Sequence, residues 1–377
     1  MEALNFDLFD LEAPEESLAL PPLESLGREP RFTSPAALKP IADIPRSSYR
    51  IRPEDVLYPA GAKHKIAANL TAIRLLKELE HSGRSPSDDE CRQLIQYSGW
   101  CGIPQAFDPD RQEFAREYEE LKAALTAQEY VSARASTLNS HYTPKFLIEF
   151  LWKIAEKAGI AGGEFGEFGA GVGHFIGMMP EQIRGRFTAV EIDDISGRIM
   201  RQLYPNARII IDDLAKTLIK RNSLDLVIGN VPFDQVGPHD SDYVGYNLHN
   251  YCIARALDAL KPGGLAILLT SASTMDSKSV NARGNFASRA ALLAAIRLPN
   301  TAFEEVGTEV VADILILQKG AENREKFLEL QAIETPDHTG IMRVNEYFAA
   351  HPEMVLGTPS NTGKMYGRGG SATVLPF

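Results

Sequence analysis

Apolar residues first settle into a helical period after Lys63, where Ile66, Leu70, Ile73, Leu76 and Leu79 mark one face of a helix. Ser85 is placed to cap a second helix, with Pro86 at its first position and Asp88 in its first turn. Asp110 to Thr126 mixes Phe114, Tyr118 and Leu121 with charges and predicts a third, and Glu129 to Ser136 a short fourth. From Thr143 the pattern alternates between helical and strand periods. A helix over Pro144–Ala158 precedes a strand over Glu164–Phe168, a glycine-rich loop, a helix and a strand over Phe187–Ile192. A helix over Ile195–Leu203 leads to a strand over Arg208–Ile211, and a strand over Leu224–Ile228 ends at Asn230. A helix over Leu248–Leu260 should stop at Lys261-Pro-Gly-Gly264, with a strand over Leu265–Thr270 beyond it. Apolar runs at Leu292–Leu298 and Asp313–Gln318 close the series. Strands joined by helices predict an α/β fold with a doubly wound, mostly parallel sheet.

The same pattern divides the chain into four parts. Residues 1–46, rich in Pro, Glu, Leu and Ser without sustained period, read as a disordered arm. Residues 47–139 form a helical module, residues 140–320 the α/β domain, and residues 321–377 an extension with a short helix and a flexible end from Gly357.

Composition narrows the class. With 44% hydrophobic and 24% charged residues in 377, the chain is an ordinary globular one. No run reaches the roughly 18 apolar residues of a membrane span. The first twelve residues lack the basic start of a secretory signal. Cys91, Cys101 and Cys252 are scattered, with no Cys-x-x-Cys and no His at ligand spacing. That favours a reducing, cytoplasmic setting and no metal site. The net charge of −11 counts against strong autonomous binding to nucleic acid.

Chemistry gathers at the predicted strand ends. Glu167-Phe-Gly169-Ala-Gly171-Val-Gly173-His-Phe175 lies between a strand and a helix, where glycines let backbone approach a ligand. Such a loop alone also suits a dinucleotide, or a turn with no ligand. Glu191 and Ile192 end the next strand, where a carboxylate is placed to bind ribose hydroxyls, so the two motifs together point to a nucleoside cofactor. Asp213, after the third strand, is where such folds set a group near the cofactor's adenine.

Asn230-Val231-Pro232-Phe233, at the end of the fourth strand, resembles the Asn-Pro-Pro-Tyr/Phe signature of amino-methyltransferases. An aniline-like amine is a poor nucleophile because its lone pair is delocalised into the ring. The Asn230 side-chain carbonyl and the Val231 backbone carbonyl suit its two hydrogens, and Phe233 suits stacking on an extruded base. Tyr142-Thr143-Pro144, preceded by Ser140-His141, resembles the aromatic-Thr-Pro cofactor segment of DNA adenine methyltransferases, and also reads as a helix start capped by Thr143.

In this order the motifs resemble the adenine-specific (N6) DNA methyltransferases with an amino-terminal cofactor segment. The resemblance extends to the methylase portion of phage and plasmid DarB-like methyltransferase–helicase antirestriction proteins. It rests also on Tyr97-Ser-Gly-Trp100, His249-Asn-Tyr251, Thr270–Asp276, Ala295–Asn300 and Gly307–Val310, and spans roughly residues 60 to 357. It implies a class I (Rossmann-like), seven-stranded sheet whose final strand is antiparallel. It further implies S-adenosyl-L-methionine as cofactor, DNA as substrate and a helicase-like or other partner protein. Tyr142, Thr143, Glu167, Gly169, Gly171, Gly173, Phe175, Glu191, Ile192 and Asp213 would hold the cofactor, with Asn230, Val231, Pro232 and Phe233 catalytic. Two departures stand out: Phe168-Gly169 replaces the usual Pro and small residue of the glycine motif, and Val231 stands where most relatives have Pro. RNA adenine or a protein glutamine amide would suit the same site, and a weakly catalytic module binding DNA or a partner remains the contrasting class. Arg198, Arg201, Arg283, Arg289 and Arg297 lie in or beside the α/β domain; Arg283 and Arg289, after the fifth strand, would flank a DNA cleft as part of a narrow basic stripe, or else are solvated helix charges.

Overall fold

The computed structural model describes residues 48–137, 142–234, 236–238, 240–363 and 371–377. The expected disordered arm over residues 1–46 therefore lies outside the described residues, as do Ser140 and His141. The elements in chain order are α1 (Ala62–Ser82), α2 (Asp88–Leu94), α3 (Ala115–Ala124), α4 (Ala127–Ala135) and α5 (Lys145–Lys157). Then come β1 (Gly162–Phe168), α6 (His174–Gly177), β2 (Arg184–Glu191), α7 (Asp194–Leu203), β3 (Arg208–Ile211) and β4 (Leu224–Asn230). The sheet is completed through α8 (Leu248–Ala259), β5 (Leu260–Ser271), α9 (Ser273–Asp276), α10 (Asn281–Ala287), β6 (Ala290–Arg297) and β7 (Ala312–Lys319). Beyond it lie β8 (Leu330–Glu334), β9 (Ile341–Asn345), α11 (Glu346–Ala350), β10 (Thr358–Gly363) and β11 (Ser371–Leu375).

The main sheet has the order β3-β2-β1-β4-β5-β7-β6. β7 pairs antiparallel with both β5 and β6, while β1, β2, β3, β4 and β5 pair in parallel. This is the class I order, with the antiparallel final strand the sequence led us to expect. The order reverses between β1 and β4, so the carboxyl ends of those two strands flank the crevice where open α/β sheets bind ligands. The Gly169–Gly173 loop leaves one of them and Asn230 ends the other. Trp152 of α5 packs on Phe165 and Phe187 in the middle of β1 and β2, with ring centroids 5.5 to 6.1 Å apart.

The apolar face of α1 is buried as its spacing predicts, at Ile66, Leu70, Ile73, Leu76 and Leu79. It joins Ile195, Ile199 and Leu203 of α7 in one core with Val172 of the glycine loop. The helical segment thus packs directly on the cofactor side of the sheet.

Several local expectations are corrected. Ser87, not Ser85, caps α2, because its hydroxyl accepts from the Glu90 N–H while Glu90 accepts from the Ser87 N–H. Pro144 is itself the N-cap residue of α5 rather than its first helical residue, so Thr143 does not hold the cap position. The Lys-Pro-Gly-Gly run does not separate α8 from β5; it lies inside β5, where Gly263 takes φ +82° and the pairing register with β4 shifts. The helix after the glycine loop is a single turn, too short to offer a helix dipole. Residues expected to be flexible after Gly357 pair as β10 and β11, anchored by the Asn300 N–H to the Val374 carbonyl at 2.8 Å.

The arginine stripe does not form. Arg283 is buried and donates to the carbonyls of Leu328, Thr274 and Ser277. Arg289 binds Asp258 and the Ala254 carbonyl, and Arg297 is buried against Asp313 and Asp276. Arg198 joins Glu80, Glu129 and Asp194, and Arg201 reaches the Ile209 carbonyl. A guanidinium with several donors in a fixed fork ties segments together; Arg283, Arg289, Arg297 and Arg198 act as struts, while Arg201 stays exposed with one bond to the Ile209 carbonyl.

Candidate functional site

A cavity of about 370 Å³ opens at the strand-order reversal, within the range of small-molecule sites. Tyr142, Thr143, Glu167, Gly169 and Gly171 line one side of it. Phe175, Glu191, Ile192 and Asp213 line another, and Asn230 and Pro232 close it at the end of β4. Gly173, Val231 and Phe233 stand behind this lining rather than in it.

The glycine loop owes its path to backbone that only glycine adopts readily. Gly171 has φ +56°, and a β-carbon there would come within 3.2 Å of Tyr142 Cε1. Gly173 has φ +82°, and its β-carbon would meet Tyr204 at 2.7 Å, so its role is close packing on α7 rather than ligand contact. Gly169 brings the loop against the β4 motif: a β-carbon on it would lie 3.0 Å from Pro232 Cδ. The two motifs therefore form adjoining walls of one cavity.

Glu191 is fixed by two backbone donors. Its Oε2 accepts from the Gly171 N–H at 2.7 Å and its Oε1 from the Asp193 N–H at 2.8 Å. Burial nevertheless pushes its carboxyl up to about 7, against the lowering effect of the Asp193 N–H. Glu167 lies deeper. Its carboxyl is pushed well above the usual carboxylate range by burial and then by the neighbouring Glu191 charge, and Oε2 has no hydrogen-bond partner among the described residues. A buried, unpartnered carboxyl oxygen facing a cavity is costly unless a ligand meets it. Asp213 uses Oδ1 to accept the Ala215 N–H, shaping the loop after β3.

At the other end, Val231 is buried and its N–H is taken by the Leu269 carbonyl at 3.0 Å. Phe233 packs edge-on to buried His249, with ring centroids 6.5 Å apart. His249 in turn meets Ser273 Oγ at 3.0 Å, and burial lowers it to about 4, so the imidazole is neutral. Leu248 and Cys252 of α8 add an apolar wall, and burial pushes the Cys252 thiol up to about 12, leaving it unreactive.

The sequence reading missed several lining residues. Gly99, Ser132, Ala135 and Ser136 come from the helical segment and also line the cavity. Gly99 sits in the Tyr97-Ser-Gly-Trp100 run, where Asn69 holds the backbone by accepting from the Ser98 N–H and donating to the Gly99 carbonyl. Nothing in these small residues carries a chemical signal, so only tertiary placement reveals them.

No protein-family model matches the chain. Among characterised proteins it is 31% identical over 267 residues to the "Defense against restriction protein B" of Escherichia phage P1. That match covers 69% of this chain, while the chain spans only 10% of the phage protein's length. Among solved structures it is similar to the type I restriction-modification methyltransferase subunit of Streptococcus thermophilus, at 15% identity and TM-score 0.44, over 74% of this chain and 68% of that one. It is also similar to a TehB-like S-adenosylmethionine-dependent methyltransferase of Corynebacterium glutamicum, at 16% identity and TM-score 0.33, over 51% and 95% of the two chains. The strand order itself, rather than these likenesses, defines the fold. Among the described residues no helix is long and apolar enough to cross a membrane.

Proposed function

We propose, taking this chain's homology to a segment of the phage protein as the premise, that it transfers a methyl group from S-adenosylmethionine to the exocyclic amine of adenine in DNA. The observation that carries this reading is the junction of two unlike half-sites in one cavity. One half, Glu191 with the Gly169–Gly171 backbone and the unpartnered Glu167 oxygen, suits a nucleoside bearing cationic groups. The other, where Asn230 and Pro232 line the cavity and Val231 and Phe233 adjoin them in sequence, would offer carbonyls and an aromatic ring for an amine on a flat ring.

The residues present fit the cofactor. Glu191 would have acceptor capacity left for ribose hydroxyls, since an ionised carboxylate accepts at about four sites and backbone N–H groups take only part of them. Glu167 is placed to meet positive charge on the methionine side, with Tyr142 and Thr143 beside it, and Asp213 with Leu248 and Cys252 would flank the adenine. S-adenosylmethionine would supply an electrophilic methyl group. The chain's own part is to orient the amine: the Asn230 side-chain carbonyl and the Val231 carbonyl accept its two hydrogens and localise the lone pair. Phe233 stacks on the extruded base, and His249 holds Phe233 from behind.

Mass spectrometry of nucleosides from plasmid DNA co-expressed with the chain tests the reading. N6-methyladenine is expected with the wild type and not with Asn230→Ala, which should still bind cofactor. Methylated RNA adenine or methylglutamine in place of it would redirect the substrate assignment. A second reading, a methylase-like module that binds DNA or a partner in an antirestriction assembly, is favoured by one observation. Arg283, Arg289 and Arg297 are spent on internal contacts, so grip on DNA would come from elsewhere.

A further inference from the structure

The segment preceding α1 carries no motif, yet it straps together the elements that line the cavity. The Tyr49 N–H donates to the Leu203 carbonyl at the end of α7, and the Ile51 N–H to the Gly177 carbonyl at the end of α6. Lys145, at the start of α5, donates to the carbonyls of Arg52 and Pro53 at 2.7 and 2.6 Å. Half-buried Tyr58 ends the strap over the cavity's rear wall. Its hydroxyl is 2.7 Å from the Thr143 carbonyl and 3.0 Å from His174 Nδ1. Its ring meets Tyr142 and His174 edge-on at centroid distances of 6.2 and 5.6 Å.

The hydrogen-bond roles follow from the partners. His174 is buried, and burial lowers it to about 4, so the ring is neutral and carries one proton. Its Nε2 lies 2.8 Å from the Ile95 carbonyl, which only accepts, so the proton sits there and Nδ1 is an acceptor. The one Tyr58 hydroxyl proton thus serves two acceptors, one on each of the elements that flank the cavity. Thr143 and His174 both line that cavity, and beside the Tyr58 bond the Tyr142 ring meets the His174 ring edge-on at 5.9 Å, a contact that Tyr58→Phe would leave in place.

We propose that Tyr58 is a cofactor-positioning residue, whose hydroxyl fixes the spacing between the Tyr142–Pro144 segment and the glycine-loop turn α6. This rests on the reading of the cavity as a cofactor site. Tyr58 touches no ligand itself; it acts through Thr143 and His174. Because a single hydrogen bond is at issue, the ring packing can be kept while the bond is removed.

The test is Tyr58→Phe in the full chain, with calorimetric binding of S-adenosyl-L-homocysteine and hydrogen exchange of the ligand-free protein. Affinity is expected to fall about three- to tenfold, the range one net hydrogen bond commands. Exchange is expected to quicken at residues 142–147 and 169–177 while α1 and α2 stay protected. Faster exchange with unchanged affinity would reduce Tyr58 to a structural contact and overturn the proposal, and so would unchanged exchange at both segments. Wild-type protein that takes up no S-adenosyl-L-homocysteine would instead overturn the reading of the cavity, and the positioning role with it.

Discussion

The buried carboxyl of Glu191 makes cofactor affinity a function of pH near neutrality. Burial holds it at about 7 in the ligand-free fold, although the Gly171 and Asp193 N–H groups already point at its oxygens. In the proposed ribose contact the hydroxyls would donate to the ionised form, so the protonated fraction would give up its proton on binding. That fraction falls from about ten-elevenths at pH 6 to about one-eleventh at pH 8, which makes the affinity for S-adenosyl-L-homocysteine rise about tenfold, or about 1.4 kcal/mol. The stability of the ligand-free protein runs the other way. Folding raises this carboxyl from its ordinary 4.5 to about 7, so the folded state holds a proton the unfolded chain has released. The contribution is fully present below about 4.5 and is lost as pH climbs to about 7. Calorimetry at pH 6, 7 and 8, in buffers of different ionisation enthalpy, reads both the affinity and the released proton. Glu191→Gln should bind more weakly, because its amide turns a donor toward one of the two N–H groups, and should lose the pH dependence between 6 and 8. A wild-type affinity that is flat across this range, or an equal slope in Glu191→Gln, would refute the reasoning.

Gly171→Ala places a β-carbon 3.2 Å from Tyr142 in a left-handed conformation that costs about 1–2 kcal/mol for other residues, so cofactor affinity should fall tenfold or more by calorimetry. Phe233→Ala should slow methylation of duplex DNA more than of DNA whose target base is already unpaired, since the lost stacking is worth about 1–3 kcal/mol; equal slowing on both, in steady-state assays, would remove the stacking role. Binding of the isolated chain to duplex DNA, followed by fluorescence anisotropy across a salt series, should be weak with a log–log slope no steeper than about −3, at about −0.9 per phosphate neutralised. A slope beyond about −6 would show a basic surface that the internal arginine contacts do not leave.

What was legible in the sequence, and what was not, follows the range of the interactions involved. Strand runs such as Leu265–Thr270 and Asp313–Gln318 carry their fate locally, because a continuous apolar run flanked by turn residues has few alternatives to a buried strand. The strand order then places Gly169–Gly171 and Asn230 together, since both motifs sit at the carboxyl ends of β1 and β4 where the order reverses. Elements set by a competition between neighbours were read less well. Ser85 and Ser87 are both good caps, and only the reciprocal bonds with Glu90 decide for Ser87. Lys261-Pro-Gly-Gly264 has the composition of a helix end followed by a loop, yet β4 captures its backbone into β5 as a bulge.

Long-range placements were not legible at all, and charge shows why most clearly. A count of basic residues in the catalytic region treats Arg283, Arg289 and Arg297 as interchangeable candidates for a phosphate-facing row. Each instead lies opposite acceptors that come from far along the chain: the Leu328 carbonyl, Asp258, and Asp313 with Asp276. Arg297 is pushed further toward its charged form by those carboxylates despite complete burial, so its charge is neutralised inside the protein and offers nothing to a ligand. The net charge of −11 is thus only part of the electrostatic case against autonomous DNA binding. The other part is geometric, since cations that the composition counts in favour are already committed to holding β6, β7 and the carboxyl-terminal extension against the sheet. By the same logic Tyr58 escaped notice, because an aromatic residue in an irregular segment has no period to betray it. Its hydroxyl becomes informative only once Thr143 and His174, separated from it by more than eighty residues, are seen to share its proton.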